Sequence, residues 1–156
     1  MTVEVVLNGR RAALECAADE MLLEVLRREG LGSVRATCGI GVCGACTVLV
    51  DGEPISGCLM LAAQAEGREV TTVEGLEGRH PVQRAFVEAH AFQCGWCTPG
   101  FVLTAKRLLE ESPDPSDEEI VEALDGNLCR CGSYVKIVDA VRRAAAGRDG
   151  GTTSAS

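Results

Sequence analysis

Nine cysteines in 156 residues, and the spacing of eight of them, constrain this chain more than any other feature. Cys38, Cys43, Cys46 and Cys58 read C-x4-C-x2-C-x11-C. Cys94, Cys97, Cys129 and Cys131 read C-x2-C-x31-C-x1-C, and Cys16 is left over. An odd total argues against a disulfide framework. The opening MTVEVVLNGRR lacks a basic start followed by an apolar run, so no signal peptide and a cytoplasmic location are expected. In a reducing compartment this many thiols hold metal. Two sets of four predict two metal centres with four thiolates each.

Spacing also bears on the metal. Structural zinc usually takes pairs of C-x2-4-C knuckles. The first set instead opens with C-x4-C-x2-C, the plant-type [2Fe–2S] spacing. A cluster of two irons needs two thiolates on each, so one loop must curl around it and deliver three. That loop is Cys38-Gly-Ile-Gly-Val-Cys-Gly-Ala-Cys46, and its glycines allow close approach of the backbone. N–H groups then aim at sulfur, which matters for a group of about −2 charge. Zinc is the competing reading for both sets; the second spacing could also hold it, C-x1-C being short but possible, yet iron–sulfur is favoured there even alone, and more so beside the first set.

The same loop spells G-x-G-x-x-G through Gly39, Gly41 and Gly44. A dinucleotide fingerprint follows a strand and opens a helix. Here the loop runs into Thr47-Val48-Leu49-Val50, a β-branched strand signal, so the nucleotide reading fails. With 15 basic and 23 acidic residues the net charge is −8, and aromatics are 3%. Neither phosphate backbones nor base-stacking platforms fit that composition, so no nucleic-acid partner is expected. No apolar run is long enough for a transmembrane segment.

The chain divides into two halves of different character. Val3 to Leu7 alternates up to Asn8-Gly9, a type I′ hairpin signal, and Ala12 to Cys16 returns. Asp19 is placed to cap a short amphipathic helix through Arg28, closed by Gly30 or Gly32. After the cysteine loop come strand 47–50, a turn at Asp51-Gly52, a short strand toward Cys58, and a last strand from Val70 to Val73. The second half is helical. A first helix is expected from Val82 to Phe92 and a second from a Thr98 cap to about Glu111. A third starts at the Ser116–Glu119 capping box and ends near Gly126. A fourth runs from Tyr134 to Ala146. Both cysteine pairs of this half fall where helices begin, and a helix N-terminus favours thiolate charge. The fold class is therefore α+β: a β-grasp, plant-type ferredoxin domain over 1–74, a linker over 75–80, a four-helix [2Fe–2S] domain over 81–146, and a flexible tail over 147–156.

Three strings resemble one family. Cys38 to Gly52 (CGIGVCGACTVLVDG) is similar to the first cluster loop of the molybdenum hydroxylases. Gln93 to Gly100 (QCGWCTPG) and Gly126 to Cys131 (GNLCRC) are similar to their second. The likeness spans roughly residues 2–146 and is to the separate small iron–sulfur subunit of the xanthine oxidase, carbon monoxide dehydrogenase and aldehyde oxidoreductase type. The resemblance implies that Cys38, Cys43, Cys46 and Cys58 hold the cluster farther from molybdenum, and Cys94, Cys97, Cys129 and Cys131 the nearer one. It implies that Gln93 hydrogen-bonds the pterin of the molybdenum cofactor, with Cys131 lying beside it. It implies a large molybdopterin-binding partner, a medium FAD-binding partner, and a dimer of heterotrimers. Electrons would pass from molybdenum through the two clusters to flavin or another acceptor.

The chain departs from the family pattern at three places. Trp96 replaces a usual Phe, Thr37 a frequent Gly, and Gly132-Ser133-Tyr134 the commoner Thr-Gly-Tyr. The last variant is similar to isoquinoline and some aldehyde oxidoreductases, some without flavin, which leaves the acceptor open. A free-standing two-cluster carrier and a zinc-dependent binding module are the rival functions. Cys16 is expected as buried strand packing, His80 as linker surface and His90 as a helix-face residue. Arg130 is read equally as a screen for cluster charge and as plain surface.

Overall fold

The computed structural model describes residues 1–149; the rest of the expected tail, 150–156, lies outside the described residues. Strands β1 (Thr2–Leu7) and β2 (Arg10–Glu15) form an antiparallel hairpin. Asn8 and Gly9 both have positive φ (50° and 78°), as a type I′ turn requires. Cys16 follows directly and is 6% exposed within the sheet-side core, so it packs as expected.

Helix α1 (Leu22–Arg28) buries Leu22, Leu23, Val25 and Leu26. Asp19 does not cap it. Met21 holds the N-cap position without a side-chain bond. The physical reason is tertiary: the N–H groups of Leu22 and Leu23 donate to the carbonyls of Met60 (2.8 Å) and Gly57 (3.0 Å). A distant stretch of backbone satisfies the helix start, so no side-chain cap is needed.

Strands β3 (Thr47–Val50), β4 (Glu53–Ser56) and β5 (Glu69–Thr71) complete a sheet of order β2-β1-β5-β3-β4, in which only β1 and β5 run parallel. β5 stops before the expected Val73, because Val73–Leu76 coil into a 3-10 turn that runs into the start of the expected linker. All four residues of β3 are buried. Val48 and Val50 join the sheet-side core. The other face of the strand is covered by helix α3 (Thr98–Glu111) of the second half, which explains an apolar run rather than an alternation.

The second half packs four helices: α2 (Pro81–Glu88), α3 (Thr98–Glu111), α4 (Asp117–Leu124) and α5 (Tyr134–Asp149). α2 ends short of Phe92. His90 sits in the left-handed region (φ 51°), and the N–H groups of His90 and Ala91 donate back to the carbonyls of Val87 and Phe86. That is a Schellman ending, so His90 terminates the helix rather than lying on its face. His80 caps α2, its Nδ1 accepting from the Val82 N–H at 3.3 Å. Thr98 is the first residue of α3, not its cap; Cys97 takes that position, and the Thr98 hydroxyl is buried without a partner among the described residues. Ser116 and Glu119 form the predicted capping box. α4 ends at Leu124, two residues early, and α5 continues past Ala146 to Asp149.

The two halves meet along α3. Glu53 on β4 pairs with Arg107 on α3 at 2.6 Å. Gly100 of α3 lies flat on the Gly44 carbonyl, where a Cβ would collide with the oxygen.

Candidate metal centres

The loop between α1 and β3 carries the first three cysteines, and its glycines 39, 41 and 44 all adopt positive φ. The loop runs into a strand, which removes the structural context a dinucleotide fingerprint needs. Its curl gathers N–H groups on the Cys38 sulfur. The Cys43 N–H lies 3.5 Å from that sulfur. The Cys38 thiol is brought down to about 6, first by the Ile40 N–H, then by Cys43 and Val42. These are the donors a thiolate ligand requires, one residue on from Gly39 and Gly41. Cys46 sits at the closed side of the loop. Burial pushes its thiol up to about 11, and the thiols of Cys58 and Cys43 are its neighbours. The four cysteines of the first set are thus brought together, with Cys38 toward solvent and Cys46 and Cys58 inside.

The second set assembles between helices. Burial pushes Cys97 up to about 12, with the Cys129 thiol against it and Cys94 nearby. Cys94 is held below its ordinary value, foremost by the Trp96 N–H and then by Cys131. At Cys129 burial acts upward but is outweighed by the Ser133 N–H, 3.4 Å from the sulfur, and by Cys97, so the thiol moves down. Again one thiol pair is buried, Cys97 and Cys129, while Cys94 is exposed and Cys131 half-buried. Thr37, Cys43, Cys94, Cys97, Cys129 and Tyr134 are among the walls of a cavity of about 320 Å³.

Among the described residues no three Cys, His, Asp or Glu side chains converge on one ion position. The thiols come instead as the pairs 38/43, 46/58, 94/131 and 97/129. Two irons with two thiolates each call for pairs. The donor set and the N–H groups aimed at sulfur fit a [2Fe–2S] group at each set, and the cavity borders three cysteines of the second set and Cys43 of the first.

Gln93 and Cys131 also come together. The Gln93 amide donates to the Cys131 carbonyl at 3.2 Å on an exposed edge of the helical half. Arg130, beside them, is exposed.

Several residues that organise the site escaped the sequence reading. Asn127, 4% exposed, donates to the Gly44 carbonyl at 3.1 Å and accepts from the Thr104 hydroxyl at 3.0 Å. The Leu128 N–H donates to the Cys43 carbonyl at 2.9 Å, joining a cysteine of the first set to the neighbour of a cysteine of the second. The Tyr134 hydroxyl accepts from the Cys129 N–H at 2.8 Å, and its ring packs edge-on to Phe101. The available signals were Asn127 inside the GNLCRC string and the short step from Cys131 to Ser133 and Tyr134, but their partners lie elsewhere in the chain.

Residues 5–74 match the family described as "2Fe-2S iron-sulfur cluster binding domain", and residues 72–142 match the "[2Fe-2S] binding domain". The chain is 49% identical over 148 residues to the nicotinate dehydrogenase small FeS subunit of Eubacterium barkeri, covering 92% of this chain and 94% of that one. It is 44% identical over 147 residues to the xanthine dehydrogenase iron-sulfur-binding subunit of Escherichia coli O157:H7, covering 90% and 92%. A chain in the crystal structure of quinoline 2-oxidoreductase from Pseudomonas putida 86 superimposes with a TM-score of 0.91 at 40% identity, covering 98% of both. The aldehyde oxidoreductase of Desulfovibrio desulfuricans superimposes equally well at 41% identity, but over only 18% of its own length.

A mixed-sheet unit and a helical unit, each with paired thiols, define a two-centre iron–sulfur protein of the electron-transfer kind. Within that class, the chain belongs to the small iron–sulfur subunits of the molybdenum hydroxylase family. Among the described residues no helix is long and apolar enough to cross a membrane.

Proposed function

We propose that this chain relays electrons, one at a time, between a molybdopterin-bearing large subunit and an acceptor. The observation that carries the reading is the pairing of eight thiols into two sets bridged by one backbone hydrogen bond, Leu128 N–H to Cys43 carbonyl. In this reading Cys38, Cys43, Cys46 and Cys58 ligate one [2Fe–2S] cluster on a domain spanning 1–74. Cys94, Cys97, Cys129 and Cys131 ligate the other on a domain spanning 81–146, with 75–80 between them. Each cluster, when bound, supplies a reversible one-electron store.

The residues of the chain do the rest. The N–H groups of Ile40, Val42 and Cys43 stabilise negative charge at the first set, and that of Ser133 at the second. Burial of Cys46, Cys58, Cys97 and Cys129 excludes water from the inner edges. Cys94 and Cys131 face outward beside Gln93, and Gln93 presents an amide to the pterin there. Cys38 faces outward at the other end, toward an FAD-binding medium subunit or another acceptor. The assembly proposed is a cytoplasmic dimer of heterotrimers.

An apolar groove next to this edge supports a fixed partner over a free-standing carrier. It runs between α2 and α3 past Val73, Phe86, Phe92, Pro99 and Val102, and exposes Val87 to 61%. Such a patch is what an obligate subunit interface leaves bare. Co-expression with a large molybdopterin subunit tests this. We expect a stable complex that Val87→Asp with Phe92→Asp dissociates while iron content holds. A small subunit that stays monodisperse and shows no affinity for the large one overturns the proposal.

A further inference from the structure

The two aromatic and hydroxyl departures from the family pattern are partners of each other. Trp96, the single tryptophan of the chain, lies between Cys94 and Cys97. Its indole Nε1 donates to the Thr37 hydroxyl at 2.8 Å, across 59 residues of sequence. Thr37 immediately precedes Cys38. The Arg35 guanidinium lies over the indole, 4.7 Å from the ring centroid. The Arg35 backbone N–H is itself fixed to the Ala45 carbonyl at 3.1 Å, beside Cys46. One side chain of the second cysteine loop is therefore held by two side chains of the first. Thr37 and Trp96 both wall the cavity that Cys43, Cys94, Cys97 and Cys129 share. Trp96 is 46% exposed, so one part of it faces solvent while another faces the cavity. A phenylalanine has no N–H and a glycine no hydroxyl, so this cross-link exists only when both departures occur together.

We propose that Trp96, hydrogen-bonded to Thr37 and stacked under Arg35, is a clamp between the two cysteine loops that fixes their spacing and covers one side of the cavity between them. Trp96 and Thr37 act as positioning residues for electron transfer between the centres. The stack orients the indole, because a guanidinium over a ring face leaves the ring edge, with its N–H, free to reach Thr37. The inference rests on the cluster assignment above. If that assignment fails, the unmodified protein lacks two iron–sulfur signals; if only the clamp fails, the unmodified protein keeps both.

The test compares Thr37→Val, Thr37→Ser, Trp96→Phe and the Thr37→Val/Trp96→Phe double variant in the iron-loaded protein. Thr37 is exposed, so its variants fold. Three quantities are read: the magnetic interaction between the two reduced centres by EPR, the rate of bleaching in air-saturated buffer, and, where Trp96 remains, acrylamide quenching of its fluorescence. We expect Thr37→Val and Trp96→Phe each to weaken the interaction and speed bleaching about fivefold, the worth of one ordinary hydrogen bond. The double variant should add nothing further, since each change breaks the same bond. Thr37→Val should raise quenching of the single tryptophan, and Thr37→Ser should match the unmodified protein in all three. The clamp is overturned if Thr37→Ser behaves as Thr37→Val, if the two single changes add, or if EPR interaction and bleaching are unmoved in both.

Discussion

Replacing Asn127 by alanine should loosen both thiol sets at once. The carboxamide sits at the junction of the halves, two residues before Cys129, and bonds to the residue after Cys43. It donates to the Gly44 carbonyl (3.1 Å) and accepts from the Thr104 hydroxyl (3.0 Å), whose one proton is shared with the Gly100 carbonyl; together the two bonds are worth about 1.5–2 kcal/mol. The void left by the amide adds up to about 1 kcal/mol. No buried group is orphaned, because Gly44 keeps the Thr47 hydroxyl (2.7 Å) and Thr104 keeps the Gly100 carbonyl (3.0 Å). The loss is then about 2–3 kcal/mol, a factor of about 30–150 in an opening equilibrium. The assay is anaerobic release of iron to excess chelator, followed by the visible band. We expect release to quicken by that factor, with both centres lost together. Asn127→Asp should be worse than alanine, since it turns a carboxylate on the Gly44 carbonyl oxygen in a buried site. Release from Asn127→Ala at the unmodified rate, or an aspartate milder than the alanine, refutes the reasoning.

Cys43→Ser should abolish one [2Fe–2S] EPR signal and leave the other; loss of both together contradicts the assignment of separate ligand sets. Gln93→Ala should keep iron content and both signals in the small subunit, yet slow turnover of the assembled enzyme about three- to tenfold, the effect of one lost hydrogen bond. Unchanged turnover removes Gln93 from the electron entry point. Acid stability follows from carboxyls held below their usual range: Asp117 by Arg142, Glu20 by Arg28 and Asp51 by Arg68, in each case chiefly through the side-chain hydrogen bond. A folded pKa lowered in this way gives stability that is complete above the unfolded value, about pH 4, and fades as pH falls through the folded one. Helical circular dichroism on heating the iron-loaded chain, whose ligated cysteines do not titrate, should show a flat melting point from about pH 7 to 5 and a decline below about 4, shallower in Asp117→Asn. A decline starting near neutral pH contradicts this.

What the sequence made legible was local chemistry. C-x4-C-x2-C confines three thiols to one loop whatever surrounds it, and Asn8-Gly9 or Ser116 with Glu119 need only their near neighbours. The misread boundaries share a different cause. Asp19 and Thr98 look like caps, but α1 takes its acceptors from Met60 and Gly57, and α3 starts one residue sooner, with Cys97 at the cap. His90 ends α2 in a conformation that glycine usually supplies, so no residue type announced the stop. Asn127 with Gly44, and Trp96 with Thr37, are pairs 83 and 59 residues apart. No periodicity carries such contacts. They arise because α3 closes over β3, which was readable only as an apolar run at Thr47–Val50.

The most direct test of the account is metal analysis with EPR on one purified, dithionite-reduced sample of the full chain. A chain that ligates two [2Fe–2S] clusters gives a red-brown sample with about four irons per chain and two distinguishable [2Fe–2S] signals. A single signal, or a colourless protein carrying two zinc ions, contradicts it.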